Sequence, residues 1–319
     1  MKHTTTSRLS ISVVTRSLLF LAIVSLTAPS PVVLAADQSP AKPEPATSWK
    51  YPPDMTGSRV EVYRKVGDVE LEAFVFEPAG HRPTDRRSAI IFFFGGGWRG
   101  GTPGQFLPQC RYLAERGMVA ISVDYRVKSR HDAFPQDCLS DAKSAIRWAR
   151  RNADRLGIDP DRIVASGGSA GGHLAAATAL VPGFEGVAAD SPGAEISSVP
   201  NAMILFNPAV MLAPLDGLPD LLPSEKVADI RERAMGKPEE VSPIHFVKNG
   251  LPPSIIFHGT NDDAVPFGTV VAFEKKMRAA GNHCELVAFE GQPHGFFNPG
   301  RGTGESREMA SRYYHLTTR

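Results

Sequence analysis

Two stretches in which apolar and polar residues alternate, "SRVEVYRKV" (58–66) and "VELEAFVFEP" (69–78), are separated by Gly67-Asp68. Period-two alternation around a Gly-Asp pair predicts an antiparallel hairpin. The pattern then changes. "SAIIFFF" (88–94), "MVAISVDY" (118–125), "RIVASGG" (162–168), "AMILFN" (202–207), "PSIIFHG" (253–259) and "CELVAFE" (284–290) are short runs that are mostly or wholly apolar. Such runs predict strands covered on both faces of a sheet. Between them lie segments with helical spacing: "TPGQFLPQCRYLAERG" (102–117), "FPQDCLSDAKSAIRWARRNADRLG" (134–157), "GGHLAAATAL" (171–180) and "GTVVAFEKKMRAAG" (268–281). In the second of these, Cys138, Ala142, Ala145, Ile146 and Ala149 fall on one helical face. Strands alternating with helices of these lengths predict an α/β fold: a mostly parallel central sheet, helices on both faces and an N-terminal antiparallel hairpin.

In such sheets chemistry collects at the carboxyl ends of the strands, and four features of the sequence fall there. In "ASGGSAGG", Ser169 stands in a Gly-x-Ser-x-Gly pattern between a strand and a helix. A sharp turn of that kind exposes the hydroxyl, and the helix behind it points amide dipoles at the site. Upstream, "IIFFFGGGWRGG" runs five large apolar residues into Gly95-Gly96-Gly97. Acyl transfer places negative charge on one oxygen, which needs amide hydrogens unencumbered by side chains. Gly96 and Gly97, with the amide of Ala170, are the candidate donors. "IIFHGTNDDAVPF" carries Asp262 and Asp263, and "FEGQPHGFF" carries His294. A serine hydroxyl needs a base, and an imidazole base needs a carboxylate to hold its tautomer. The chain order of serine, aspartate and histidine is that of α/β-hydrolases; pattern alone does not separate Asp262 from Asp263.

Composition narrows the function further. With 42% hydrophobic and 22% charged residues in 319, the chain has ordinary globular composition. The first 35 residues carry Lys2, Arg8 and Arg16, an apolar run from Leu18 to Leu26 and a terminal Val33-Leu34-Ala35. That predicts a signal peptide over 1–35 and an exported protein, periplasmic or extracellular. Residues 36–56, with Pro40, Pro43, Pro45, Pro52 and Pro53, read as a Pro-rich tether, and 57–319 as the catalytic domain. Cleavage after Ala35 removes three of 35 basic residues and none of 34 acidic ones, leaving a net charge of −2. No basic footprint for nucleic acid or an anionic membrane remains, and the partner expected is a small-molecule or carbohydrate ester. The three cysteines, Cys110, Cys138 and Cys284, are expected to be structural thiols. His173, His245 and His258 have no metal-ligand spacing, so neither a metal nor a cofactor is expected.

The sequence resembles bacterial esterases of the α/β-hydrolase superfamily, near the hormone-sensitive-lipase-like and acetyl-esterase or carbohydrate-esterase groups. The resemblance is carried by "FGGGW", "VDYR", "GIDPDRIVASGGSAGGHLA", "HGTNDDAVP" and "PHGF". It implies the α/β-hydrolase fold, a triad of Ser169, Asp262 and His294, and an oxyanion hole from Gly96, Gly97 and Ala170, favouring Asp262 over Asp263. Two positions depart from the group pattern. Phe94 stands where many relatives have a histidine that would brace the glycine loop, and Gly168 stands where an aspartate is frequent. Trp98 is a candidate stacking wall for a sugar, or else a core anchor. A small lid-like insertion over about 209–250 is expected to shape the pocket, although its second half, "KVADIRERAM" (226–235), reads equally as a solvated helix. The expected activity is that of a secreted serine carboxylesterase acting on short-chain, acetyl-type esters of carbohydrate or similar alcohols. The alternatives are a lipase or arylesterase of broader acyl range and a prolyl-oligopeptidase-like serine peptidase.

Overall fold

In the computed structural model, residues 50–186, 193, 195–218 and 221–298 are described. The expected signal peptide and most of the expected tether lie outside them. The hairpin forms as β1 (Arg59–Val66) and β2 (Val69–Phe76), paired antiparallel. The apolar runs become β3 (Arg87–Phe93), β4 (Val119–Val123), β5 (Ile158–Gly168), β6 (Ala202–Phe206), β7 (Ser254–Gly259) and β8 (Cys284–Phe289). One eight-stranded sheet results, in the order β1-β2-β4-β3-β5-β6-β7-β8. β2 joins β4 antiparallel, and every pairing from β4 to β8 is parallel.

The apolar strands are two-sided because two cores flank them. Ala89, Ile91 and Phe93 of β3 belong to one core, and Ile90 and Phe92 to the other. Full burial of such side chains contributes about 1.5–3 kcal/mol each. The helices are α1 (Leu107–Ala114), α2 (Lys128–His131), α3 (Pro135–Arg151), α4 (Ala153–Leu156), α5 (Ala170–Leu180), α6 (Ser224–Arg233) and α7 (Phe267–Ala279). Residues of α3, α5 and α7 build the first core, while α1 and Phe296-Phe297 build the second.

Local boundaries differ from the sequence expectation where proline and asparagine intervene. The segment 102–117 is a 3-10 turn, Pro103–Phe106, followed by α1. Pro103 and Pro108 lack amide donors and restrict the residues before them, which favours tight turns over one continuous helix. The segment 134–157 breaks at Asn152, whose side chain bonds the Trp148 carbonyl at 2.8 Å. Residues 50–56, the last part of the expected tether, are mostly exposed but attached to the fold. Met55 is buried in the second core, and the Tyr51 hydroxyl donates to Asp124 at 3.0 Å. All three cysteines are buried and free. Among the described residues no helix is long and apolar enough to cross a membrane.

Candidate active site

The candidate residues arrive from four strand ends. β5 runs into Ser169, and α5 starts at the next residue. Ser169 has φ 55° and ψ −119°, a conformation side chains rarely adopt. The strain is held by three backbone bonds: the Ser169 amide donates to the Phe206 carbonyl at 2.9 Å, and the Ser169 carbonyl accepts from His173 at 2.9 Å and Ala209 at 3.3 Å.

The glycine loop follows β3. Gly96 has φ +129°, and a Cβ there would lie 2.2 Å from the Gly100 carbonyl oxygen, so only glycine fits. The brace that Phe94 cannot give comes from elsewhere. The Tyr125 hydroxyl donates to the Phe94 carbonyl at 2.6 Å while the two rings stack with centroids 4.0 Å apart. The Gly95 amide donates to Gln105 Oε1 at 2.5 Å. At the other departure from the group pattern, the place of a side chain on Gly168 is taken: a Cβ there would meet Phe297 Cζ at 2.2 Å.

Asp262 lies in the loop after β7 and His294 in the loop after β8. Asp262 Oδ1 accepts from the amides of Ala264 at 2.9 Å and Val265 at 2.8 Å. Its Oδ2 is 2.7 Å from His294 Nδ1, accepts from Asn207 Nδ2 at 2.8 Å and lies 3.2 Å from His258 Nε2. Burial opposes ionisation of this carboxyl, but the hydrogen bonds from His258 and His294 outweigh it and hold the group well below the usual carboxylate range. Asp263, by contrast, is exposed, and its backbone carbonyl accepts from Lys226 Nζ at 2.7 Å. With Nδ1 bonded to the carboxylate, Nε2 of His294 is the ring atom left to exchange a proton.

Asn207 was missed by the sequence reading, although it ends the "AMILFN" run. It leaves β6 with φ 41°, its amide bonded to the Phe257 carbonyl at 2.9 Å, and so aims its side chain across to Asp262. His258 is fully buried, and its Nε2 also lies 2.9 Å from the Val265 carbonyl. His173 is a second buried structural histidine. It accepts from Trp98 Nε1 at 3.2 Å and bonds the Val241 carbonyl through Nε2 at 2.6 Å. That pattern requires a neutral ring protonated on Nε2, and burial pushes its pKa down to about 4 against the Val241 bond. Trp98 is 4% exposed, its indole N–H donates to His173, and it also borders the cavity.

Ser169, Ala170, Gly96, Gly97 and His294 border one cavity of about 530 Å³. Its roof is α6, which the segment "KVADIRERAM" largely forms; no residue of that helix is fully buried, and one of its faces is exposed while the other turns to the cavity. Lys226, Asp229, Ile230 and Arg233 of α6, spaced i, i+3, i+4, i+7, face the cavity. The helix is pinned on both sides. Arg99 pairs with Asp229 at 3.0 Å, Asp229 pairs with Arg233, and Arg233 Nη1 donates to the Gly97 carbonyl at 3.3 Å. Across the cavity Lys226 Nζ donates to the carbonyls of Asp263 at 2.7 Å and Ala264 at 3.2 Å. Among the described residues no cluster of three or more His, Cys, Asp or Glu side chains is arranged to hold a metal.

Comparison with known proteins agrees with this architecture. The model of the BD-FAE family matches residues 75–277, and that of the dienelactone hydrolase family matches residues 236–319. Esterase LipC of Mycobacterium tuberculosis is 31% identical over 226 residues, covering 67% of this chain and 54% of LipC. Esterase LipQ of the same organism is 32% identical over 220 residues, 62% of this chain and 48% of LipQ. The chain thus spans about half the length of these curated relatives. The butyrate-bound structure of the esterase Est2 from Thermogutta terrifontis is 52% identical, with 84% of this chain and 95% of that one covered and a TM-score of 0.77. With an eight-stranded sheet, a serine on the turn after β5 and a family match over most of the described residues, the chain belongs to the BD-FAE family and has the α/β-hydrolase fold of the bacterial esterases it resembles.

Proposed function

We propose that this protein is a serine carboxylesterase that removes short, acetyl-type acyl groups from carbohydrate or similar alcohols through an acyl-enzyme on Ser169. The observation that carries the reading is the 2.7 Å bond between Asp262 Oδ2 and His294 Nδ1 at the edge of the cavity that Ser169 borders. In the proposed sequence His294 Nε2 takes the Ser169 hydroxyl proton as Oγ attacks the ester carbonyl carbon. The amides of Gly96, Gly97 and Ala170 receive the charge on the carbonyl oxygen. Collapse breaks the bond to the alcohol oxygen, which leaves with the proton from His294. Water then attacks the acyl-enzyme, gives its proton to His294, and releases the acid and the Ser169 hydroxyl. Asp262 holds the ring and stabilises its charged form throughout.

A short acyl group is supported by the Thermogutta relative, which has a structure with butyrate bound, and the cavity of about 530 Å³ beneath α6 leaves room for an alcohol beside it. An alcohol rich in hydroxyls suits a wall that carries Arg99, Lys226, Asp229 and Arg233. The apolar run at the N-terminus supports export. A second reading, broader acyl range, is favoured by the apolar side chains of Met211, Leu222, Ile230 and Phe297 in the same cavity.

The test is a series of nitrophenyl esters from acetate to decanoate, run beside acetylated xylan and with Ser169→Ala as control. Rates falling steeply beyond butyrate, with acetate released from xylan, are expected; rates rising with chain length would replace the reading with the broader one. Ser169→Ala should lose at least about 10³-fold in kcat, and full activity in that variant would overturn the mechanism.

A further inference from the structure

We propose that Gln105 and Asn298 are positioning residues that tie the glycine loop to the loop of His294 through a directional relay of hydrogen bonds. The proposal rests on the esterase reading above. The Gly95 amide donates to Gln105 Oε1 at 2.5 Å, and Gln105 Nε2 donates to Asn298 Oδ1 at 3.0 Å. Asn298 then donates to the Gly295 carbonyl twice, from Nδ2 at 3.0 Å and from its backbone amide at 2.9 Å. Gln105 is 4% exposed and Asn298 5%, and both border the cavity.

The relay has one stable orientation. Its first donor is a backbone N–H and its last acceptor a backbone carbonyl, so turning either side-chain amide alone would set donor against donor or acceptor against acceptor. Buried amides left unmatched are costly, and a fully matched chain of them is therefore rigid. One end is anchored. Gln105 sits in the turn Pro103–Phe106, where the Gly104 amide donates to Thr102 Oγ1 at 3.2 Å and Ser122 of β4 donates to the Pro103 carbonyl at 2.8 Å.

What the relay joins gives it a function. Gly95 immediately precedes the two glycine amides proposed to hold the oxyanion, and Gly295 immediately follows His294. These loops leave β3 and β8, which have β5, β6 and β7 between them. No shared ladder fixes the distance from the oxyanion donors to the base, and the two amide side chains span that gap. Base and donors act together in the transition state, so an error in their spacing lowers kcat and leaves ground-state binding alone.

The experiment compares Gln105→Leu, Asn298→Leu and the double variant. Each single variant should lose about ten- to a hundredfold in kcat while KM changes less than about threefold. The double variant should lose no more than the worse single one, because either substitution opens the same relay. Unchanged kcat, losses that multiply, or losses confined to KM would overturn the proposal. A second measurement needs no turnover: amide hydrogen exchange at Gly95 should accelerate in Asn298→Leu, and unchanged exchange there would also overturn it. If the wild type fails on every ester, or Ser169→Ala retains hydrolysis, the esterase reading falls, and the exchange experiment still decides whether the relay exists.

Discussion

His258 reaches the carboxylate of Asp262 from the buried side, its Nε2 3.2 Å from the same Oδ2 that stands 2.7 Å from Nδ1 of His294. With the Asn207 amide 2.8 Å from that oxygen and two backbone amides on the other, the carboxylate is held from five directions. A group fixed in this way orients its partner ring far better than the exposed Asp263 beside it.

The two aspartates should therefore separate cleanly in turnover. Asp262→Asn keeps the shape but no longer stabilises a charged His294, and kcat should fall by about 10³–10⁴-fold. Asp263→Asn should stay within about threefold of wild type. Steady-state rates on nitrophenyl acetate decide it, and comparable losses in both variants would mean that the bond to Oδ2 does not orient the base.

Gly168 and Phe297 form a second testable pair. An alanine at 168 brings its Cβ to 2.2 Å from Phe297 Cζ, in a ring cluster where Phe297 stacks on Phe106 at 5.8 Å and meets Phe206 at 4.9 Å. The ring has little room to retreat. Gly168→Ala should cost about 1–3 kcal/mol of stability, and Phe297→Leu in the same chain should recover part of it. Chemical denaturation of the three variants measures this; strictly additive losses would show that the two residues do not press on each other.

The neutral His173 makes stability depend on pH in a defined window. An unfolded histidine takes up a proton near about pH 6.5, whereas the buried ring of the native protein resists until about 4. Between those values the unfolded chain holds the extra proton, so stability falls as the solution is acidified, by about 1.4 kcal/mol per pH unit and about 3 kcal/mol in all. Asp262 does not add to that slope. Its lowered pKa stabilises the fold fully above about 4, the unfolded value, and that share is lost only at more acidic pH. Denaturation curves from pH 7 to 4.5 should be distinctly flatter for His173→Gln, and identical slopes would place the acid sensitivity elsewhere.

The roof helix sets what fits in the cavity. Ile230 faces the cavity from α6 and is only partly buried, so its truncation enlarges the pocket without removing a core residue. In Ile230→Ala the ratio of kcat/KM for hexanoate over acetate should rise by about tenfold, the scale of one or two methylenes of pocket space. An unchanged ratio would remove α6 from the acyl pocket.

The strands and the order of Ser169, Asp262 and His294 were legible because each rests on a local signal: an apolar run, a glycine turn, a polar loop just past a strand end. Asn207, Gln105 and Asn298 were not. Each is a neutral amide with a partner far along the chain, 55 residues away for Asn207 and 193 between Gln105 and Asn298, and nothing in its own neighbourhood distinguishes it from an ordinary loop residue. The pattern did not choose between a cap over the pocket and a solvated helix for 226–235, for a related reason. The stripe Lys226, Asp229, Ile230 and Arg233 has helical spacing but mostly charged side chains, and a charged stripe on a helix reads as facing water until a cavity is known to lie beneath it.

That roof is fastened in large part to the main chain. Lys226 holds two backbone carbonyls in the loop after β7, and Arg233 holds the carbonyl of Gly97. A backbone carbonyl persists through any change of side chain. The residues at positions 263 and 264 are thus free to vary over evolutionary time, altering the surface a substrate meets, while the helix above them stays moored.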